Sequence, residues 1–184
     1  KFLLYTATHP IVGLKGLASR VAVSPFFDST SADAIYRYVV TAVDGAGNES
    51  SPSSEASVVY DQAPPAITIA GVADGGFFNR DLFPTFTAAD LLLDTASVRG
   101  TLDGAAFFSG GVVSGEGRHS LTVAAADQRG REASSTVSFT IDKTRPAIGF
   151  SGVTQGKFVR STASISITVS ELNPKTSSFL LFNE

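Results

Sequence analysis

From Tyr36 to Ser50 the chain alternates its side chains with a period of two and then breaks into glycines. Tyr36, Tyr38, Val40 and Ala42 fall on one face of an extended strand, and Arg37, Val39, Thr41 and Val43 on the other. Asp44-Gly45-Ala46-Gly47-Asn48 follows, residues that tolerate positive φ and predict a turn. Residues 119–127 alternate in the same way and end in Gln128-Arg129-Gly130-Arg131. Short β-prone runs bounded by Gly, Pro, Asn or Asp recur at 2–5, 20–23, 56–60, 66–70, 83–88, 97–102, 105–109, 112–113, 120–126, 136–141 and 164–169. Asp103-Gly104 between two of these runs predicts a tight hairpin. No segment sustains a helical apolar period, so the pattern predicts an all-β chain.

The pattern also repeats. A shift of 81 residues carries Asp61 onto Asp142, Pro65 onto Pro146, Ile67 onto Ile148, Gly71-Val72 onto Gly152-Val153 and Phe77 onto Phe158. A shift of 83 carries Tyr36 onto His119, Val40 onto Val123, Ala42 onto Ala125, Asp44 onto Asp127 and Gly47 onto Gly130. Agreement over so many landmarks predicts a tandem array with a period of roughly 80 residues. Asp61-Gln62-Ala63-Pro64-Pro65 and Asp142-Lys143-Thr144-Arg145-Pro146 read as its linkers. Proline removes a ladder donor and fixes φ, so each strand must stop there and the junction is stiff.

The first segment, 1–63, resembles the C-terminal part of a fibronectin type III domain. The resemblance rests on Tyr36-x-Tyr38-x-Val40-x-Ala42-Val43-Asp44, on Gly47-Asn48-Glu49-Ser50 and on Pro52-Ser53. It implies a sandwich in which Tyr36 sits at a tyrosine corner, its hydroxyl bonded to nearby backbone. The front of the segment departs from the family, because a full module needs about 100 residues and the first two strands have no room. Residues 64–184 resemble bacterial immunoglobulin-like repeats through Thr101-Leu102-Asp103-Gly104, Gly115–Val123, Ala125-Ala126-Asp127 and Phe139-Thr140-Ile141-Asp142. That implies a complete module over 64–143 and the first half of another over 144–184. The fold class is therefore all-β: tandem immunoglobulin-like and fibronectin type III-like β-sandwiches, incomplete at both ends. Arg131 stands where a Gly-Asn turn would place Asn, and a differently built loop is expected there.

Composition narrows the function classes. The chain has 184 residues, 43% of them hydrophobic and 17% charged, enough to form a packed core. A net charge of -3 with 14 scattered Lys and Arg does not suit a nucleic-acid surface, which needs clustered cations. No apolar run approaches the roughly 20 residues that span a bilayer. Lys1 leads straight into a strand-like run, which does not read as a signal peptide. With no Cys, disulfides and thiolate chemistry drop out, and the lack of any Met suggests a segment of a longer polypeptide.

Candidate chemistry is sparse. His119 falls at the corner position of Tyr36, so a ring bonding backbone is the expectation rather than catalysis. His9 lies in a Gly- and Pro-punctuated stretch with no second ligand near it in sequence. Ser is abundant, but no Gly-x-Ser-x-Gly elbow occurs. The glycines at 110–111 and 115–117 open no helix and read as hairpin turns. Asn48-Glu49-Ser50 matches a glycosylation sequon but is read as part of the turn. Asp44, Asp61, Asp127 and Asp142 recur at module ends. Turn capping is the expectation for them, and calcium, which takes six to eight oxygens, is the one candidate cofactor, with Asp61, Asp127 and Asp142 as its ligands. Phe26-Phe27, Phe77-Phe78 and Phe107-Phe108 should each point one ring inward and leave the other for a neighbouring module or a partner.

The functional expectation is a non-catalytic structural or adhesive spacer of a large bacterial cell-surface or extracellular protein. Its partners would be neighbouring modules of the same chain, surface proteins or carbohydrates. The alternatives are an accessory module of a secreted glycoside hydrolase or protease, and a subunit of a self-assembling extracellular filament or sheath.

Overall fold

The computed structural model describes residues 2–8, 11, 19–22, 27–29, 32–152, 156, 158, 162 and 164–174, and these are all-β. By compactness the chain falls into two units. One comprises Lys1–Thr68, Thr87–Arg99 and Val123–Ser135, and the other Ile69–Phe86, Gly100–Thr122 and Thr136–Glu184.

The first sheet has the order β2-β1-β3-β4, built from β1 (Phe2–Ala7), β2 (Ser19–Ala22), β3 (Ala34–Ala42) and β4 (Ala56–Tyr60). All its pairings are antiparallel, with Tyr5 opposite Val39 and Tyr36 opposite Val58. The alternating stretch thus forms a central strand, as its pattern predicts. Its most buried positions are Val39 and Thr41, on the face opposite Tyr38 and Val40. Glu49 explains the choice. Its Oε1 accepts hydrogen bonds from the Tyr5 hydroxyl at 2.8 Å and the Thr41 hydroxyl at 2.6 Å, closing that face.

Nine further strands follow: β5 (Ala66–Ala70), β6 (Gly76–Phe78), β7 (Thr85–Ala89), β8 (Leu93–Leu102), β9 (Ala105–Phe107), β10 (Gly117–Asp127), β11 (Glu132–Ile141), β12 (Ala147–Ser151) and β13 (Ser166–Ser170). Strands β6-β11-β10-β8-β9 form one sheet, β5-β7 a second and β12-β13 a third, giving the chain its β-sandwich character. Along β10 the alternation is complete: Leu121, Val123, Ala125 and Asp127 are buried, and the residues between them are half-buried. Phe139 and Ile141 on β11 are buried too, and Phe139 meets the ring of Phe78 edge-on at 6.3 Å.

The hairpin at Asp103-Gly104 forms as its sequence predicts. Both residues have positive φ, 52° and 84°, the type I′ geometry that matches strand twist. Three local expectations change. β6 was not legible as a strand, because three residues containing a glycine carry no alternation, and it exists by pairing in parallel with the distant β11. Val112 and Val113 do not make a strand. Val113 instead exchanges two backbone hydrogen bonds with Leu82, at 2.8 and 3.0 Å, and both side chains are buried. Gly117 opens β10 rather than lying in a turn. The phenylalanine pairs divide as expected where both members are described: Phe78 and Phe107 are half-buried, while Phe77 and Phe108 are exposed. Phe26 lies outside the described residues.

Candidate functional site

Two turns separated by 83 positions are built alike. In the first, Asp44 Oδ1 accepts from the backbone N–H groups of Ala46 and Asn48 at 2.8 and 2.9 Å, and its Oδ2 accepts from the Asn48 amide at 2.9 Å. In the second, Asp127 Oδ1 accepts from the N–H groups of Arg129 and Arg131, each at 2.8 Å, and its Oδ2 accepts from the Arg131 guanidinium at 3.0 Å. Gly47 and Gly130 take the positive φ that each turn requires, 93° and 82°. The expected difference at Arg131 is therefore absent. A guanidinium N–H reaches the same carboxylate oxygen as the Asn amide, and the backbone does not need to change. The Asn48 amide, followed by the backbone N–H groups, holds the Asp44 carboxyl below the usual range. Burial pushes Asp127 upward, but the N–H groups and guanidinium around it prevail and its carboxyl also lies low.

The two corner residues also share a contact. The Tyr36 hydroxyl donates to the carbonyl of Ala32 at 2.9 Å, and His119 Nε2 meets the carbonyl of Gly115, likewise four residues back, at 2.9 Å. His119 gains a partner that Tyr36 lacks, since its Nδ1 lies 2.7 Å from Asp103 Oδ2. A carbonyl and a carboxylate only accept, so both ring nitrogens donate when the imidazole is protonated. Burial opposes that charge, yet the bonds to Asp103 and Gly115 outweigh it and raise the pKa of His119 above its ordinary value. His119 also packs against Phe139, ring centroids 5.6 Å apart. His9 lies outside the described residues.

The candidate calcium ligands behave differently from one another. Asp61 follows the end of β4, Asp90 follows β7, and Asp127 closes β10. One carboxylate oxygen from each lies within 4.8 Å of the others, forming an acidic cluster. Asp61 is 2% exposed, and its Oδ2 has no hydrogen-bond partner. Burial first, and then the charges of Asp90 and Asp33, push its pKa upward against the single opposing pull of Arg131. Asp142, the other calcium candidate, is not a member of this cluster. Its Oδ2 accepts from the Asn173 amide at 2.7 Å and its Oδ1 from the Thr144 N–H at 3.2 Å, so both oxygens have local partners.

Asp90, the third member, was not singled out from the sequence. The signal was present in the shift of 81 residues. The shift that carries Asp61 onto Asp142 carries Asp90 onto Glu171, another acid. Both cap the N–H two residues ahead: Asp90 Oδ1 accepts from Leu92 at 2.8 Å and Glu171 Oε1 from Asn173 at 3.0 Å.

An all-β protein of sandwich character, with an acidic cluster at three strand ends, is the class that these features define. Comparison of the chain with protein-family models and with curated protein sequences finds no match in either.

Proposed function

We propose that the chain is a non-catalytic structural or adhesive spacer, a tandem run of β-sandwich modules within a large extracellular or cell-surface bacterial protein. Residues 1–63 are its fibronectin type III-like part, 64–143 a complete immunoglobulin-like module and 144–184 the start of another. The observation that carries this reading is the recurrence, 83 positions apart, of a ring bonded to the carbonyl four residues back and of an Asp-capped turn. The polar residues most conspicuous in the sequence are occupied in holding those corners and turns, which is what a scaffold module requires.

The sheet order β6-β11-β10-β8-β9 supports the same reading. It sets β8 beside β10 and β10 beside β11, an order like that of the three-strand sheet of an immunoglobulin-type sandwich. Ile148 and Phe150 on β12 are exposed, a face suited to cover by further chain of the array. Proline-bearing linkers restrict the hinge between modules, so the array extends and presents binding parts elsewhere on the polypeptide.

The test is the coding sequence on either side. Further units of roughly 80 residues, each closing on Asp-x-x-x-Pro, are expected. An adjoining catalytic domain would replace the spacer with the accessory-module reading. Ordered polymers of the isolated chain under sedimentation and electron microscopy would replace it with the filament reading.

A further inference from the structure

Three carboxylates converge where β4, β7 and β10 end, and among the described residues Arg131 is the cation that opposes the charge on Asp61. Arg131 bonds Asp127 Oδ2 at 3.0 Å. With all three acids ionised, negative charge stays uncompensated in a place where Asp61 and Asp127 are buried. Like charges brought together out of water repel strongly, and a buried oxygen without a partner forfeits its hydration for nothing. Such an arrangement calls for a proton or a cation.

We propose that Asp61, Asp90 and Asp127 form a binding site for one hard divalent cation of the calcium type, held by the otherwise unpartnered Oδ2 of Asp61 together with oxygens of the other two acids. The sign of the charge fits, because Asp33 adds to the negative field around Asp61 and a divalent ion would offset that excess. Distance fits as well. Oxygens that share one calcium lie about 2.3–2.6 Å from it, so any two are at most roughly 5 Å apart. The three carboxylates satisfy that limit, one oxygen of each lying within 4.8 Å of the others. Donor chemistry agrees: oxygen ligands alone select hard cations, and three carboxylates with waters can reach six or more ligands.

The corresponding acids one period later supply an internal control. There Asp142 and Glu171 stand where Asp61 and Asp90 do, but Asn173 replaces Leu92. Its amide donates to Asp142 Oδ2 at 2.7 Å and satisfies the oxygen with protein alone. Leu92 has no donor on its side chain, and Asp61 Oδ2 is left without a partner. The amide of Asn173 thus satisfies the Asp142 oxygen that corresponds to the one left open on Asp61. A bound ion would tie the start of the proline-bearing segment after Asp61 to the two turns that begin at Asp90 and Asp127. The site stands apart from the spacer reading, which can fail without it.

Calcium alone is the probe, added to the whole chain after chelation. Calorimetric titration is expected to show one site. Melting is expected to rise by roughly 5–10 °C at about a hundredfold excess over Kd and to fall back with chelator. Asp61→Asn should abolish both responses while melting no lower than the parent chain in chelator, since it removes a buried charge. Should that variant fail to fold, Asp90→Asn serves the same purpose. Asp142→Asn should keep the full calcium response. Superimposable parent melts in calcium and chelator, with no heat of binding, would overturn the site. So would an undiminished response in both Asp61→Asn and Asp90→Asn.

Discussion

His119 carries two hydrogen bonds to acceptors, and their combination makes stability at this corner depend on pH. Its folded pKa is raised, so the bonds contribute fully below the unfolded value of about 6.5 and are lost as pH rises through the folded value. Asp103 shifts the other way. Burial raises it, but the bonds from His119 and from the Ser120 N–H prevail and hold it low. Its contribution is present above about pH 4 and disappears as pH falls through the folded value. The pair therefore acts between those limits. The gap between urea melts of the parent chain and His119→Gln should be larger at pH 5.5 than at pH 9, since the charged form's contribution is lost as pH rises through the raised folded value. An equal gap at both values would mean that the imidazole is not charged in the fold.

At the scale of single elements, close packing decides which residues a strand can hold. Gly100 on β8 is buried, and a Cβ there would lie 2.7 Å from the Phe86 ring and 2.9 Å from the Phe107 carbonyl oxygen. The ring could turn, but the carbonyl belongs to the paired strand β9 and cannot move without loosening the hairpin. Gly100→Ala is expected to cost about 1–3 kcal/mol, read as a lower urea midpoint at unchanged slope. β10 tests the opposite case. Leu121 is fully buried, and Leu121→Ala should cost about 2–5 kcal/mol through lost burial and the cavity left behind. A loss below about 1 kcal/mol would mean that β10 does not pack as a central strand.

For the molecule as a whole, the informative surface is the one left uncovered. Ile148 and Phe150 on β12 are 71% and 59% exposed, although they occupy the apolar positions of a strand paired with β13. Ser at both positions should shift stability by no more than about 0.5 kcal/mol, because little area is removed from water there. It should also reduce any self-association seen by sedimentation at high concentration. A large loss of stability would show that these side chains are packed in solution. Among the described residues, no helix is long and apolar enough to cross a membrane.

Strand identity was legible along much of this chain because alternation, β-branching and turn residues are local properties. The strands at 56–60 and 66–70, the Asp103-Gly104 hairpin and the bond of the His119 ring to a nearby carbonyl need only a few neighbouring residues to be read. The likeness of the two Asp-led turns was legible in the shift of 83 residues, although Arg131 disguised it, since residue type hides that an amide and a guanidinium can each bond the turn's Asp Oδ2. Pairing with distant partners was not legible. β6 has no pattern of its own, and its existence depends on β11, some sixty residues away in sequence. The acidic cluster is the same kind of feature. Sequence marked Asp61 and Asp127 as recurrent acids, but it also marked Asp142, and it passed over Asp90. Only the packing of three strand ends brings Asp90 to the other two, buries Asp61 without a partner, and gives Asp142 an amide. Electrostatics and burial act across space at a few ångströms, and that distance is set by the tertiary fold rather than by separation along the chain.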